Sequence, residues 1–370
     1  MIEIIIRMKV VILGDNRSVH IQEWISSVQA SNKVELHVIT FDNGVKFEGV
    51  TYHSLVKFGS SKFNYLLNIF RVKSIVKSIN PDLIHAHYAT SYGFLARYSG
   101  FHPYIITGWG ADIFDSPKNI IMKKVLINSF KNADAISVLS EITRSEMKKL
   151  TPKYVHLIPF GVDVNKFTPK ITKNPNLVRI GTIRTLSEKY GVEFLIRAFE
   201  KLSKKHENIQ LEIVGDGPLR PYLENLVKEF GLENKVIFHG YINQNSSFDQ
   251  YIKILSSFEI FAILSILDSE TFGVAAVEAS ACGIPVVATS VGGLPEVVKS
   301  EITGIIVPPQ DVEATFMALD RLVSNISLRH EMGINGRLNV LKKYNWLENT
   351  NQMLDLYSQT IKSSKINKHR

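Results

Sequence analysis

The stretch EIFAILSILDSETFGVAAVEASACGIPVVATSVGGLPEVV, residues 259–298, decides the fold class. It starts with one apolar run, EIFAILS (259–265), and later contains a second, IPVVAT (284–289). Between the two runs, a helical stretch of small residues opens at Phe272-Gly273-Val274 and closes at Gly283. Short apolar runs joined by a helix are typical of parallel strands with a crossover connection. The stretch therefore predicts an α/β fold.

The same alternation of apolar runs and helical stretches extends outward through the chain. Further strand candidates in the second half are LVRIGTI (177–183), IQLEIVG (209–215) and KVIFHG (235–240). Those in the first half are KVVILG (9–14), VELHVIT (34–40), LIHAHY (83–88), YIITGW (104–109), AISVLS (135–140) and VHLIP (155–159). The stretch NKFTPKITKNPN (165–176) interrupts the pattern and is interpreted as a linker.

This organisation predicts two doubly wound, Rossmann-like domains separated by a linker. Their predicted bounds are 1–165 and 166–345, followed by a C-terminal helix and basic tail over 346–370. Ligands of such sheets bind beyond the carboxyl ends of the strands, so we expect functional loops to follow the strands.

Composition limits the class of protein. Hydrophobic residues make up 45% of the 370 residues and charged residues 21%, which is typical of a globular chain. The apolar opening is interrupted by Glu3, Arg7 and Lys9 and lacks a cleavage site, so we interpret it as a first strand. Residues 1–7 are interpreted as an extension before a natural-looking start at Met8. The single cysteine, Cys282, excludes an internal disulfide framework, and we expect a cytoplasmic location.

Charge is unevenly distributed. Residues 1–165 carry a net charge of +6, whereas residues 166–370 carry +2. A basic face of this kind attracts phosphate-bearing partners or an anionic membrane surface, although solvated helix faces would give the same count. Because no basic run is interleaved with aromatic residues and no recognition motif appears, we do not expect nucleic acid as a partner.

The residues around the helix start suggest a nucleotide-sugar site. Free backbone N–H groups and the helix dipole at Gly273 and Val274 suit a diphosphate. Glu278, near the second turn, could accept hydrogen bonds from two ribose hydroxyls, and Glu270 precedes the helix, where donor-sugar hydroxyls would lie. The alternative is an ordinary buried βα unit with two incidental acids.

Two cations follow the strand candidate 177–183. Arg184 and Lys189 could neutralise a diphosphate leaving group without a metal ion, although a solvated loop would look the same. Gly215 and Gly217, in IVGDGP (213–218), follow a strand at the same edge and are candidates for the cleft or for a simple turn.

These motifs together resemble the family-four class of retaining GT-B glycosyltransferases. The resemblance is carried by Glu270-x7-Glu278, by Arg184 with Lys189, by VGDGP, and by IPFGVDVNKF (158–167). It implies the GT-B architecture, with the two domains facing each other across a cleft, and a C-terminal helix that crosses back to the first domain. It also implies a nucleotide-sugar donor on the C-terminal domain, an acceptor on the N-terminal domain and no divalent metal. It also implies the site residues: Arg184 and Lys189 for the diphosphate, Glu278 for the ribose, and Glu270 with the backbone of Phe272, Gly273 and Val274 for the donor sugar.

The N-terminal half resembles the family in DLIHAHY (82–88) and TGWGADIF (107–114). Where many members have His-Gly-x-Asp, this chain has Trp109-Gly110-Ala111-Asp112. Asp112 is therefore the candidate that orients the reacting sugars, and Trp109 lies in the slot of the missing histidine. Gly14, whose lack of a side chain would let the diphosphate pass, and His20 are further candidates for the cleft; a capping or packing role for His20 is the alternative.

His85 and His87 alternate along a predicted strand and so share a face. Asp82 is poorly placed as a third metal ligand and no further His or Cys cluster supplies a fourth, so a packed or acceptor-facing role is favoured. We therefore predict no metal site and no cofactor, the nucleotide sugar being a substrate.

The predicted function is retaining, metal-independent transfer of a sugar from a nucleoside-diphosphate sugar, with uridine diphosphate preferred on the prevalence of such donors in the family. We expect the acceptor to be a glycan or lipid-linked precursor of an envelope polysaccharide. The segment LVKFGSSKFNYLLNIFRVKSIVKSIN (55–80) combines apolar and basic residues and could place the protein peripherally on an anionic leaflet, or its apolar side could pack on its own sheet.

Three other functions are weighed against this one. A nucleotide-sugar epimerase of the same architecture is the main alternative; it would need acid and base groups for carbon–hydrogen cleavage and no acceptor. A nicotinamide oxidoreductase would need a GxGxxG motif after the first strand, where this chain has LGDNRSVH. An exported two-domain binding protein would need a signal peptide.

Overall fold

The computed structural model describes residues 7–42, 44–59, 63–169, 176–244 and 247–368. The chain divides into two compact units. One contains the residues up to Pro159 together with those from Leu347 onward, and the other contains Phe160–Trp346. Each unit is a parallel sheet covered by helices, so the predicted α/β class with two Rossmann-like units is confirmed.

The first unit is built on a seven-stranded sheet whose strands are all parallel. In chain order the strands are β1 Met8–Leu13, β2 Val34–Thr40, β3 Val50–Ser54, β4 Leu83–His87, β5 Tyr104–Gly108, β6 Ala135–Val138 and β7 Val155–Leu157. Their order in the sheet is β3-β2-β1-β4-β5-β6-β7. All residues of β4, β5 and β6 are buried, as expected for central parallel strands covered on both faces.

The helices of this unit pack on the two faces of its sheet. They are α1 Val19–Ala30, α2 Phe63–Leu67, α3 Ile69–Ile79, α4 Gly93–Ser99, α5 Ala111–Phe114, α6 Ile120–Asn132 and α7 Glu141–Lys148. A π-helical turn, Tyr88–Tyr92, and a 3₁₀ turn, Ser116–Lys118, complete the unit together with the C-terminal helix.

The second unit is built on a six-stranded parallel sheet. The strands are β8 Val178–Ile183, β9 Ile209–Val214, β10 Val236–Gly240, β11 Ile260–Ile263, β12 Val286–Thr289 and β13 Gly304–Val307, in the sheet order β10-β9-β8-β11-β12-β13. Its helices are α8 Val192–Lys205, α9 Arg220–Glu229, α10 Phe248–Leu255, α11 Val274–Ala281, α12 Leu294–Val297, α13 Val312–Ser324 and α14 Ile326–Lys343, with a 3₁₀ turn at Glu188–Tyr190.

The C-terminal helix α15, Trp346–Lys368, returns to the first unit. Its Tyr357 is fully buried, and the hydroxyl lies 2.7 Å from Nδ1 of His85 on β4. Asn349 donates a hydrogen bond of 3.0 Å to the carbonyl of Pro159, the last residue of the first unit before the chain enters the second. The helix is therefore anchored by buried polar contacts as well as by apolar packing.

Two strands of the structure were not predicted from the sequence. β3 (VTYHS) and β13 (GIIV) both lie at a sheet edge, where a strand pairs on one side only and is often short or polar. None of the five residues of β3 is buried. β3 therefore lacks a buried apolar run, whereas β13, with three of its four residues buried, has one that sequence analysis overlooked.

The structure differs from the prediction at the beginning of the predicted linker, residues 165–176. Residues 170–175 lie outside the described residues, but Phe167 is 4% exposed. Arg337 on α14 donates to the carbonyls of both Phe167 and Val164, the latter at 2.8 Å. The beginning of the predicted linker is therefore packed within the second unit, and the change of unit lies at Pro159–Phe160 rather than at 165.

Candidate functional site

Two predicted residues of the second unit meet at the carboxyl edge of its sheet. Arg184 directly follows β8 and Glu270 lies in the loop after β11, the strand beside β8. The Arg184 guanidinium donates to the Glu270 carboxylate, and the two side chains are only 12% and 10% exposed. The hydroxyl of Ser265 contacts both, accepting from Arg184 at 3.1 Å and donating to Glu270 at 3.1 Å. The pair is therefore a partly buried, oriented ion pair.

The second predicted cation lies beside this pair. The ammonium of Lys189 donates to the backbone carbonyl of Ser269, next to Glu270, at 3.2 Å. The ring of Tyr190 lies 4.7 Å from the Arg184 guanidinium and 5.5 Å from the Lys189 ammonium, within cation–π range of both. The Nε–H of Arg184 is buried and has no hydrogen-bond partner among the described residues. This arrangement places two cations and the unpaired Nε–H donor of Arg184 close together. Such a cluster of positive charge is suited to an anionic ligand.

The helix start lies in the same loop. Gly273 precedes the first residue of α11, Val274, and has φ +77°, a conformation that favours glycine. A Cβ at Gly273 would approach Leu294 to 2.5 Å. The ring of Phe272 is buried against Phe160 and Tyr344, so Phe272 offers a ligand its backbone rather than its side chain. The first N–H groups of a helix lack intrahelical partners, which makes this start suitable for an anion.

Glu278 lies on α11, about 7.5 Å further along the helix axis than Gly273. It is 4% exposed. Gln244 donates to its Oε1 at 2.8 Å and the hydroxyl of Tyr251 donates to its Oε2. These two donors orient the carboxylate. Sequence reasoning missed both because they come from a different part of the chain and carry no motif.

The glycines of VGDGP support the Arg184 loop. A Cβ at Gly215, which has φ +138°, would lie 1.8 Å from the carbonyl oxygen of Arg184. A Cβ at Gly217 would lie 2.5 Å from the carbonyl oxygen of Leu186. Both glycines are therefore explained by close backbone packing that positions Arg184, and neither requires a ligand contact.

A second glycine pair supports the Glu270 loop. A Cβ would lie 1.9 Å from the Glu270 carbonyl oxygen if added to Gly292, and 2.0 Å from the Thr271 carbonyl oxygen if added to Gly293. The N–H of Gly293 donates to the Glu270 carbonyl at 2.9 Å. Sequence analysis gave these residues no role, although the adjacent glycines of SVGGLP were the available signal.

In the first unit, the Asp112 carboxylate is held by main-chain hydrogen bonds. It is 3% exposed, and its carboxylate accepts hydrogen bonds from the backbone N–H groups of Ala89, Trp109 and Gly110 at 2.8, 3.0 and 2.9 Å. Burial raises the pKa of Asp112, and the backbone donors oppose that shift. Because the carboxylate is occupied by main-chain donors, its position favours a role in holding the loops after β4 and β5 over the predicted contact with reacting sugars.

Trp109 lies in a stack of rings at the carboxyl edge of the first sheet. Its ring centroid is 5.3 Å from that of Tyr88 and 6.0 Å from that of His20, with near-parallel planes. Tyr88 has φ +67°, which is uncommon for a residue other than glycine and is often found at functional sites. Burial raises the pKa of Tyr88 to about 12. Sequence reasoning placed His20 and Trp109 near the cleft but overlooked Tyr88, which ends the predicted strand 83–88.

Gly14 follows β1 beside this stack. A Cβ at Gly14 would lie 3.2 Å from Ile21 and 3.7 Å from the ring of His87. The indole N–H of Trp109 donates to Nδ1 of His87 at 3.2 Å, so the neutral His87 ring carries its hydrogen on Nε2. Burial lowers the pKa of His87 well below its usual value and that of His85 to about 3.

The two histidines of β4 belong to a packed polar network. Nε2 of His85 lies 2.6 Å from the Thr107 hydroxyl, which lies 2.6 Å from that of Ser137. In the described ranges, no group of three or more His, Cys, Asp or Glu side chains could hold a metal ion. The same part of the chain contains no helix with the length and apolar character needed to span a bilayer.

Comparisons with known families identify the fold and the activity class. Residues 163–339 match the family described as glycosyl transferases group 1, and residues 9–140 match the family described as glycosyl transferase 4-like. The chain is a GT-B glycosyltransferase of the family-four-like class. Of the functions weighed in the sequence analysis, the family assignment supports the glycosyltransferase.

Relatives of this glycosyltransferase include two uncharacterized glycosyltransferases of Methanocaldococcus jannaschii. One is 37% identical over 172 residues, which cover 46% of this chain and 42% of the relative. The other is 28% identical over 332 residues, which cover 86% of this chain and 88% of the relative. The chain thus spans less than half of the first relative and most of the second.

Solved structures share the fold. Sucrose-phosphate synthase from Thermosynechococcus elongatus superposes with a TM-score of 0.81 at 21% identity, covering 96% of this chain and 100% of that one. A structure of Anabaena HepE in complex with UDP and glucose superposes with a TM-score of 0.77 at 18% identity, covering 95% and 100%. At these identities the similarity concerns the fold.

Proposed function

We propose that this glycosyltransferase binds a nucleoside-diphosphate sugar on its second unit. Arg184 and Lys189 would bind the diphosphate, with the N–H groups at the start of α11, and Glu278 would accept hydrogen bonds from the ribose. Glu270 would bind donor-sugar hydroxyls. The observation that carries the proposal is the convergence of Arg184 and Lys189 on the Ser269–Glu270 segment, three residues before Gly273.

We propose a uridine diphosphate donor. The support is that Anabaena HepE, which shares the fold, is described in complex with UDP and glucose. A relative from Mycolicibacterium smegmatis, 28% identical over 61% of this chain and 63% of its own length, is named as a GDP-mannose-dependent mannosyltransferase. The nucleotide base of the donor is tested by incubation with UDP-, GDP- and dTDP-sugars, with and without lipid-linked acceptors. The donor that is consumed identifies the base.

We propose that transfer proceeds with retention of configuration. The bond between the anomeric carbon and the leaving phosphate oxygen breaks, and the acceptor oxygen forms the new bond on the same face of the sugar. The proton of the acceptor hydroxyl passes to the leaving phosphate. Arg184 and Lys189 stabilise the negative charge that develops on the diphosphate, which replaces the need for a divalent metal ion. NMR of the first product formed would test this step: an inverted anomeric configuration would refute it.

For the acceptor we propose a lipid-linked or envelope glycan precursor, with the protein located in the cytoplasm and peripherally on the membrane. The proposal is supported by the segment 55–80, part of which packs into the core while other apolar side chains remain exposed. Val72, Val76 and Ile79 are buried against the sheet. The apolar residues Phe58, Phe63, Leu66, Leu67 and Phe70 are each half or more exposed.

Sedimentation with vesicles would test the membrane proposal. We expect binding to anionic vesicles at low salt, with a decrease at high salt as screening weakens the attraction between cations and headgroups. Neutral vesicles should bind less. Absence of binding, or binding that ignores lipid charge, would favour a soluble acceptor.

A further inference from the structure

A cavity of about 730 Å³ lies at the carboxyl edge of the first sheet, within the size range of small-molecule sites, about 300–1,000 Å³. Its lining includes Asp15 after β1, Asp42 after β2 and Lys57 after β3, together with residues of α2, α4 and α6. This is the edge at which doubly wound sheets bind ligands.

One wall of the cavity is polar but electrically balanced. Arg17 pairs with Asp15 at 3.0 Å and with Asp42 at 3.1 Å, and Lys57 pairs with Asp42 at 3.0 Å. Burial acts to raise the pKa of Asp15, but hydrogen bonds from Arg17 outweigh it and lower that pKa. These two cations and two carboxylates offer both hydrogen-bond donors and acceptors to a polar headgroup.

The opposite wall is apolar and open to solvent. It contains Phe63 and Leu66 of α2, Phe94 of α4, and Ile121 and Val125 of α6. Phe63, Leu66 and Ile121 are 69%, 50% and 64% exposed although they line the cavity. The cavity therefore opens to the surface through an apolar rim, and such contiguous exposure marks an interaction surface.

The surroundings of the rim indicate the partner. Leu67, Phe70 and Ile120 extend it and are 61%, 83% and 72% exposed. The adjacent helices α3 and α6 carry Lys73, Lys77, Lys123 and Lys124, which have no carboxylate within 4 Å among the residues with described side chains. Apolar side chains with unpaired lysines beside them suit the anionic surface of a lipid bilayer.

We propose that this cavity binds the hydrocarbon chain of a lipid-linked acceptor and that the rim is where the chain leaves the bilayer. The polar wall beginning at Asp15 would then hold the headgroup near Gly14 and the edge of the sheet. The proposal rests on the proposed function and deepens it, because it assigns this cavity to the apolar chain of a lipid-linked acceptor.

Alkyl phosphates used below their micelle concentrations provide a direct probe. Titration calorimetry with ethyl, octyl and decyl phosphate separates the chain from the headgroup. Each methylene group buried should raise the affinity about fourfold, so decyl phosphate should bind one equivalent and ethyl phosphate should not bind measurably. Affinity independent of chain length, or absence of decyl phosphate binding, would overturn the proposal.

Matched variants locate the site. Val125→Trp fills the cavity and should weaken decyl phosphate binding by about tenfold or more, whereas Ile127→Trp, on the same helix but outside the lining, should leave it within about twofold. Leu66→Glu at the rim should weaken it similarly, whereas Leu67→Glu, exposed but outside the lining, should not. Equal effects of the lining and control variants would overturn the proposal.

Titration of the same samples with UDP distinguishes a failure of the proposed lipid cavity from a failure of the proposed nucleotide site. All four variants should bind UDP like the wild-type protein, because the proposed nucleotide site lies in the other unit. Normal UDP binding without decyl phosphate binding would refute the acceptor cavity alone. The bilayer is tested separately, by vesicle binding of the two rim variants. If Val125→Trp loses decyl phosphate binding but Leu66→Glu and Leu67→Glu bind vesicles like the wild-type protein, the bilayer is refuted as the source of the lipid. That result would point to a protein partner at the rim.

Discussion

The ion pair between Arg184 and Glu270 leads to a prediction in which binding and catalysis change in opposite directions. In this structure the guanidinium that would hold the diphosphate is paired with the carboxylate that would hold the donor sugar. A bare nucleoside diphosphate must compete with Glu270 for Arg184 and gains nothing from Glu270 in return. Glu270→Gln should therefore tighten UDP binding while it slows sugar transfer.

The magnitude follows from the charges involved. Like charges about 8 Å apart repel by about 2 kcal/mol at an effective dielectric constant of ~20, and screening at physiological ionic strength removes about half of this. UDP should therefore bind about fivefold more tightly to Glu270→Gln. Transfer should fall by about 10- to 100-fold in kcat/KM, because hydrogen bonds from the sugar to a charged acceptor are worth about 1.5–3 kcal/mol.

Calorimetry with UDP and a transfer assay measure the two effects. Glu188→Gln is the matched control, since it removes the same charge from an exposed side chain of the same loop as Arg184 and should change UDP affinity by less than about twofold. Glu270→Gln should also lower the Tm by a few degrees, because the guanidinium loses a charged partner. If Glu270→Gln weakens UDP binding as much as Arg184→Ala does, Glu270 supports the diphosphate site instead of competing for it, and the reasoning fails.

Three further predictions concern the same site. Arg184→Ala and Lys189→Ala should each lower kcat by about 10²–10³-fold, as loss of a donor that stabilises transition-state charge does, with far-ultraviolet circular dichroism unchanged; near-normal turnover in either variant would remove that residue from the diphosphate site. Glu278→Gln should weaken UDP binding by about tenfold, and Tyr251→Phe should weaken it less, because the phenol orients the carboxylate without touching the ribose; calorimetry giving the reverse order would contradict these roles. Activity should survive excess chelator, since Arg184 and Lys189 supply the positive charge; loss of activity that added magnesium or manganese restores would refute the metal-free mechanism.

Local patterns in the sequence determined the architecture of this protein. Each buried central strand is a short apolar run, and the alternation with helical stretches indicates parallel strands because only a crossover helix returns the chain to the same end of the sheet. The helix start at Gly273 was also predictable, since small residues, a glycine and a following apolar face are local features. The edge strand β3 was not predictable, because none of its residues is buried, whereas β13 was missed although its run GIIV is apolar.

Contacts within the site were decided by the tertiary structure. Arg184 and Glu270 are 86 positions apart and meet because β8 and β11 are neighbours in the sheet, an order that no local pattern encodes. Two further contacts join helices to remote residues: Tyr251 on α10 reaches Glu278, and Tyr357 on α15 reaches His85 across 272 positions.

The tertiary structure also decided the contacts of Asp112 and the exposure of the apolar residues in the segment 55–80. The sequence marked Asp112 as a candidate for orienting the reacting sugars, and only folding brought three backbone N–H groups to its carboxylate. Likewise the segment 55–80 is amphipathic by sequence, but which of its apolar residues are covered depends on how α2 and α3 lie on the sheet. The exposure of a side chain is determined by its neighbours in space, and those neighbours come from remote parts of the chain.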